Sequence, residues 1–480
     1  MSSVKREKWN KRFGKWFRDV LINADIMDYR YPIKGCGVWL PYGFKVRTKV
    51  LQLLRDLLDL TGHEETLFPL LIPETSLAKE AAHVRSFEEE CFWVTHGGLE
   101  PLNVKYALRP TSETAIAPML KLWIRSHADM PLKLYQVVNI FRYETEATRP
   151  ILRMREVTTF KEAHTAHPTF EEAEAQVKQG VEIYKKFFDG MGVPYLISRR
   201  PEWDKFAGAV YTIAFEMICP DGKTLQIGSV HNLGQNFSKA FDISYETEEG
   251  KQKHVWQTCY GISGRGIASA LIAHGDDHGV VLPPKIAPIQ VVVIPVPYKG
   301  MEEQIDTSCR DVVARLRAAK INVELDARAD LTPGSKFYHW ELRGIPIRIE
   351  LGPKEVKNKE ATIVRRDTLG RETCKMDKVL DVVHGILKEL MKDLKDRAWQ
   401  WMKKHVYRVD SLPEAKQLLG DRAGVVEVLW CGSDDCGKKL EGEVNARVLG
   451  VPEDVKEKVD GKCILCGQKA LRLVRLAQAY

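Results

Sequence analysis

Arg142, Glu144, Glu162 and His164 are the side chains whose types and spacing could most readily do chemistry. Residues 132–142 and 155–164 read as two strands on either side of a polar connection, a long antiparallel hairpin. On a strand, residues two apart share a face. Arg142 and Glu144 therefore lie together beside the turn, and Thr158, Phe160, Glu162 and His164 share a face on the return. A face with an arginine, two acids and a histidine makes a poor dry core, because each buried charge needs a partner. It suits a pocket for a small zwitterion and a nucleotide. Arg149, Arg153 and Arg155 add guanidinium forks, whose donors match phosphate and carboxylate. A solvated, salt-bridged hairpin is the competing reading of this pattern.

Three further runs place polar groups at junctions. In Arg109-Pro-Thr111-Ser-Glu113, an extended backbone would point Thr111 and Glu113 the same way. An acid there can equally be a helix cap or dipole partner. Gln226, Ser229 and His231 punctuate a strand-like run. Gly261-Ile-Ser-Gly-Arg265 leads into a helical run ending at His274, and glycines before such a helix permit close approach of a ligand to the backbone. Neither a P-loop nor a Rossmann fingerprint is present, so a nucleotide would be held in some other way. Late in the chain, Cys431 with Cys436 and Cys463 with Cys466 form two pairs, each followed by glycine. Four thiolates so grouped suit tetrahedral Zn²⁺ in a closed, structural site. The remaining cysteines, Cys36 and Cys259 among them, read as ordinary buried thiols of a reducing cytosol.

The elements that must position these groups fall into three regions. A length of 480 residues predicts that number at roughly 100–200 residues per domain. Trp9, Phe13, Trp16, Phe17, Val20 and Leu21 make one helical face. A second helix runs from Pro41 through Val46, Val50, Leu53, Leu54 and Leu57, and 66–73 reads as a short buried strand stopped by proline. A helix over 170–188 and strands over 210–218 and 224–230 complete the first region, residues 1–284. Over 285–395 strands (289–293, 321–326, 345–350, 361–365) alternate with helices (302–319, 338–342, 376–394), as in a compact α/β domain. Residues 396–480 hold the cysteine cluster. The fold class is α+β. A net charge of +7 permits an acidic partner such as RNA without requiring one. The charged start, Met1–Arg12, has no signal-like apolar run, and nothing approaches the roughly 20 apolar residues that span a bilayer. A cytoplasmic chain without membrane contact is expected.

In their order and spacing these runs resemble a class II aminoacyl-tRNA synthetase. The stretch ending at Pro73 resembles motif 1, Phe141-Arg-Tyr-Glu144 the start of motif 2, and Gly264-Arg265 motif 3. Thr111-Ser-Glu113, Glu162-Ala-His164, Asp204-Lys-Phe-Ala-Gly208, His231-Asn-Leu-Gly-Gln235, His274-Gly-Asp-Asp277 and Trp340-Glu-Leu-Arg-Gly-Ile-Pro346 resemble the prolyl-tRNA synthetases of the archaeal and eukaryotic type. The resemblance runs from about residue 8 to Tyr480, the terminal tyrosine such chains often share and pack toward the catalytic domain. It implies an antiparallel-sheet catalytic domain, an anticodon-binding domain and a small zinc-binding C-terminal domain. It also implies ATP with Mg²⁺, proline and tRNA(Pro) as partners, and a homodimer formed through motif 1.

Carried over residue by residue, Thr111 and Glu113 would accept from the proline nitrogen. Glu162 and His164 would line the pocket, Phe206 would wall the ring, and Ser229 and His231 would contact bound amino acid or nucleotide. Arg142 would bridge the substrate carboxylate and the α-phosphate, and with Arg265 would stabilise the charge growing in the transition state. Arg153 and Arg265 would hold the other phosphates, Glu144 would face adenine and Gln226 the nucleotide. Glu341 and Arg348 would read anticodon bases, with Arg365 and Arg366 in support. Arg155-Glu156-Val157 departs from the Arg-Glu-Phe of many class II enzymes, whose phenylalanine stacks on adenine. The large editing insertion of bacterial-type relatives is missing between His164 and Gly261, so hydrolysis of mischarged alanine in cis is not expected. The alternatives are a synthetase for threonine or serine and a non-catalytic tRNA-binding paralogue. Thr111-Ser-Glu113, the Glu162/His164 pair and the lack of a legible zinc set in the catalytic region oppose the first. The retained Arg142, Arg153 and Arg265 oppose the second.

Overall fold

The computed structural model describes residues 5–78, 90–455 and 459–480. Two helices, Glu7–Lys11 and Phe13–Asn23, bury the expected stripe from Trp9 to Leu21. Helix Pro41–Asp59 begins on proline, whose missing N–H leaves no helix bond unmade in the first turn. It buries Val46, Val50 and Leu54 and packs on helix Phe170–Gly190, which Thr169 caps by accepting from the Glu172 N–H.

These helices back a central antiparallel sheet. In spatial order its strands are Leu132–Phe141, Glu156–His167, Trp256–Ser263, Thr224–Gly234, Tyr211–Ile218 and Leu196–Arg199. Tyr184, Phe187, Tyr260 and the Lys161 side chain fill the covered face. The sheet continues into the C-terminal region. Val451 pairs with Arg199 and Pro452 with Ser198, which adds Arg447–Pro452, Arg472–Ala477, Val425–Trp430 and Val406–Arg408; with the short strand Glu64–Glu65 at the far edge, parallel to Leu132–Phe141, the sheet has eleven strands. Buried Arg475 bonds Glu427, Asp454 and the Ile197 carbonyl across that seam. The cysteine-bearing region is therefore joined to the central sheet by backbone pairing.

The middle region has a five-stranded sheet in the order Val323–Leu325, Val291–Pro295, Ile347–Leu351, Glu360–Arg365 and Arg371–Lys375. The first three are parallel, and Cys309 and Val312 of helix Glu302–Ala318 pack on them. Helix Pro333–Leu342 is longer than the expected 338–342, because Thr332 caps it and Pro333 opens it. Helix Val379–Lys403 outruns its expected end at 394. Its buried stripe of Val383, Ile386, Leu390, Leu394, Ala398 and Met402 continues without a break past residue 395.

Two strand expectations need correction. Of 66–73 only Leu71–Pro73 is a strand, and the segment is buried on one side only: Phe68 and Ile72 are inside, while Leu67 is 77% and Leu71 43% exposed. In the hairpin, Val138 pairs with Phe160 but Ile140 with Val157, so Thr158 and Thr159 both oppose Asn139. This bulge inserts one residue and reverses the alternation. Thr158 leaves the expected face, where its Oγ1 accepts instead from Trp39 Nε1 at 2.7 Å, and Val157 takes its place. Among the described residues no helix is long and apolar enough to cross a membrane.

Candidate active site

A cleft of about 300 Å³ opens on the uncovered face of the central sheet. Thr111, Glu113, Arg142, Glu144, Arg153, Glu162, Phe206, Gln226, Ser229, His231 and Arg265 all line it. His164 sits just behind, its Nε2 3.2 Å from Glu162 Oε2.

At one end two carboxylates are held by neighbours. Thr111 Oγ1 donates to Glu113 Oε2 at 2.5 Å, and Cys259 Sγ donates to Oε1 at 3.1 Å. Glu162 Oε1 accepts from Ser112 Oγ and, at 2.8 Å, from Gln136 Nε2, while Gln136 Oε1 accepts from the Phe68 N–H. His231 pairs through Nδ1 with Thr212 Oγ1 and through Nε2 with Ser229 Oγ, both at 2.9 Å. The Phe206 ring lies 4.8 Å from the His231 ring, centre to centre. Burial pushes His231 down to about 4, and the nearby charge of His164 works the same way against the pull of Glu113. For His164 burial also opposes the charged form. The bond to Glu162 and the charges of Glu113 and Glu162 outweigh it and raise the pKa. One pocket thus holds a neutral imidazole and a cation-prone one, a separation typical of sites that bind or transfer charge.

At the other end arginines gather. Arg142 Nε donates to the Pro110 carbonyl at 3.1 Å, and Arg265 Nε to the Leu152 carbonyl at 2.6 Å. Burial lowers Arg265 to about 10, and the like charges of Arg153 and Arg142 add to the effect. Guanidinium groups that repel one another around a cleft are relieved by a polyanion, so this end favours phosphates. Arg153 also pairs with Glu146. Gln226 Oε1 accepts from Arg200 Nη2 at 2.9 Å, and the same guanidinium holds Glu216 at 2.7 Å. Gly261 lies on the cleft wall, where a Cβ would stand 3.3 Å from Phe160 Cζ. Gly266, by contrast, is required by packing, since a Cβ there would meet Ile262 Cγ2 at 2.6 Å. Phe160 joins Val157 and Ile140 on the wall and offers the aromatic ring that Val157 lacks.

Residues 92–274 match the family described as tRNA synthetase class II core domain (G, H, P, S and T), and residues 290–386 match an anticodon binding domain. Residues 412–480 match the C-terminal domain of prolyl-tRNA synthetase. A proline–tRNA ligase of Methanopyrus kandleri is 54% identical over 468 residues, 98% of this chain and 96% of that one. One from Metallosphaera sedula is 53% identical over 480 residues, 99% of this chain and all of that one. The chain belongs to the proline–tRNA ligase family. The solved Giardia lamblia prolyl-tRNA synthetase in complex with prolyl-adenylate superposes with a TM-score of 0.95 at 34% identity, covering 100% of this chain and 99% of that one.

Two other sites expected of a proline–tRNA ligase are less open than the cleft. Arg348 Nη1 donates to Glu341 Oε1 at 2.7 Å and its Nε to Glu350 Oε1 at 2.9 Å. Glu341 keeps a partly exposed edge. Arg366 departs from the expectation. It is 3% exposed, and its Nη1 and Nη2 hold both oxygens of Asp276 at 2.6 and 2.8 Å. Its Nε donates to the Glu341 carbonyl. It bolts the middle region to the segment after helix Arg265–His274, a pairing across 90 residues that no local pattern announces. In the C-terminal region the four Sγ atoms of Cys431, Cys436, Cys463 and Cys466 lie within 4.8 Å of one another, and Cys436 and Cys463 are 3.7 Å apart. Zn–S bonds of about 2.3 Å in a tetrahedron space thiolates by about 3.8 Å, so the set fits Zn²⁺. Gly467, with φ +69°, lets the second pair turn back.

Sequence reasoning missed Ser112, Gln136, Arg200 and Thr212, which brace the expected residues, and it read Cys259 as inert. Cys259 pairs with His164 on one neighbouring strand and His231 on the other, so its side chain shares their face.

Proposed function

We infer that this protein activates proline with MgATP and transfers it to tRNA(Pro), releasing AMP and pyrophosphate. The observation that carries this reading is the adjacency, in one cleft, of two braced carboxylates beside an aromatic wall and a cluster of three arginines. Proline brings a secondary ammonium, an apolar ring and a carboxylate. Glu113 and Thr111 accept from the ammonium, Glu162 and His164 complete that end, and Phe206 with His231 flanks the ring. A proline carboxylate oxygen attacks the α-phosphorus and pyrophosphate leaves. Arg142 sits between the two reacting groups, while Arg265 and Arg153 take the phosphates, so charge growing on the α-phosphate meets fixed donors. Glu144 and Gln226 face the nucleoside, and Ser229 completes the wall between the subsites. A ribose hydroxyl of the terminal adenosine then attacks the activated carbonyl and AMP leaves. No side chain need form a covalent bond; positioning and electrostatics supply the acceleration.

Mg²⁺ accompanying ATP would offset phosphate charge. Zn²⁺ held by the four cysteines would be structural, because a closed thiolate set leaves no position for substrate. The exposed apolar side chains of Phe44, Leu60, Leu67 and Leu71 support a homodimer through the segment that resembles motif 1. The three-region division and a cytoplasmic location belong to the same reading. Glu341 and Arg348 would read the anticodon, with Arg366 holding the platform in place.

Amino-acid-dependent ATP–pyrophosphate exchange without tRNA tests the reading. Exchange strongest with proline is expected. Exchange strongest with another amino acid overturns the substrate, and none from folded, zinc-loaded protein overturns the activation step.

A further inference from the structure

We propose that Glu113, His164 and Cys259 form a second metal site, which takes a Zn²⁺-class cation in place of proline. The exclusion by proline rests on the cleft being the proline pocket. The three ligand atoms lie within 4.8 Å of one another, and all three residues are buried, at 4%, 6% and 5% exposure. Cys259 and His164 are direct partners on adjacent strands, so the backbone ladder fixes their spacing. Glu113 opens helix Glu113–Trp123 and brings Oε1 to 3.1 Å from Cys259 Sγ. Ligand atoms around tetrahedral Zn²⁺ stand about 3.3–3.7 Å apart, so closing the set needs only small side-chain shifts.

The donor chemistry selects the ion. One thiolate, one imidazole and one carboxylate suit Zn²⁺ and its neighbours, whereas Mg²⁺ prefers oxygen ligands alone. Three protein ligands leave a fourth position open, and Glu113 and Cys259 both face the cleft, so that position points where substrate would sit. Glu162 already braces His164, and Ser112 and Gln136 brace Glu162, the outer support that keeps an imidazole ligand in place. Binding sends the Cys259 thiol proton to solvent and leaves a thiolate on the metal. Glu113 cannot serve a metal and the proline ammonium together, so the two are mutually exclusive. Free zinc then acts as a competitive brake on activation. The closed four-cysteine cluster has no such link to substrate.

Equilibrium dialysis of the full-length protein against Zn²⁺, with metal counted per chain, tests the site. Two equivalents are expected in the wild type and one in C259S and in H164N. Saturating proline should release one equivalent from the wild type and none from C259S. In pyrophosphate exchange the apparent KM for proline should rise with free Zn²⁺ while kcat holds. A single equivalent in the wild type overturns the proposal, as does a second that both variants retain. A second equivalent lost in the variants but not released by proline also overturns it, since exclusion is part of the claim. Exchange measured without added zinc reports separately on the reaction itself.

Discussion

The cleft and the joint around Glu341, Arg348 and Arg366 are built from the same residue types and use them in opposite ways. In the cleft, Arg142, Arg153 and Arg265 border a cavity, and their mutual repulsion remains for a ligand to relieve. In the joint, Arg366 is spent on Asp276 and Arg348 on Glu341 and Glu350. Arginine beside acid is therefore no sign of function on its own. What separates the site from the bolt is whether the charges also border a sizeable cavity: Arg153 reaches Glu146 and still lines the cleft, whereas Arg366 and Asp276 are both buried and close on each other.

That contrast can be broken most forcefully at Arg366. Truncating it to alanine strands the Asp276 carboxylate in a buried position, which costs about 3–5 kcal/mol. Urea unfolding should show that loss, and the double variant R366M/D276N should recover much of it. A stable R366A that fails only in charging tRNA would return Arg366 to the anticodon site. The cleft predicts the reverse pattern. R142A should lose less stability than R366A, because the Glu113, Glu144 and Glu162 carboxylates that Arg142 faces line a cavity that water can fill. Pyrophosphate exchange should fall about 10²–10³-fold, as when one donor to a developing oxyanion is removed. A large stability loss with modest kinetic loss would make Arg142 another bolt.

The hairpin, the helix stripes and the four-cysteine cluster were legible because each depends on local spacing. So were Thr111, Glu113, Glu162 and Arg265, which border one cleft. Three kinds of feature were not legible. The bulge at Thr158–Thr159 defeated an alternation rule that assumes an unbroken ladder. The Arg366–Asp276 bolt and the Glu113–His164–Cys259 cluster join residues distant in sequence, and only the packing of separate elements brings them together. Residues 66–73 looked buried because they are apolar, yet composition cannot tell which of them turn inward, as Phe68 and Ile72 do, and which stay exposed, as Leu67 and Leu71 do.

Acid should sharpen the contrast further. His231 has its pKa lowered from 6.5 to about 4, so the unfolded chain binds a proton that the folded cleft refuses. Its contribution to stability is full above about pH 6.5 and is lost as pH falls toward 4. The expected loss is about 2 kcal/mol by pH 5. His164, with a raised pKa, acts in the opposite sense: its contribution is present below its unfolded value and is lost as pH rises through the folded one. Urea midpoints of wild type and H231Q between pH 7 and 5 check this, and the variant should show the flatter profile. Equal slopes would mean that the His231 environment opens to water in solution.

The smallest effect is expected where the two patterns meet. Glu341 belongs to the joint through its carbonyl, which accepts from Arg366, while its carboxylate keeps a partly exposed edge beside Arg348. Glu341→Gln leaves the carbonyl bond untouched, and Arg348 retains Glu350 at 2.9 Å, so the platform should stand. Pyrophosphate exchange should be unchanged, since the cleft lies elsewhere. Aminoacylation of tRNA(Pro) should lose about tenfold in kcat/KM, roughly 1.4 kcal/mol, the scale of one or two hydrogen bonds to a base. If exchange and aminoacylation fall together, Glu341 acts through the Arg366–Asp276 bolt on helix Arg265–His274, and the joint reaches the cleft mechanically. If neither falls, the carboxylate serves only to neutralise Arg348, and the reading of bases passes to other groups on that surface.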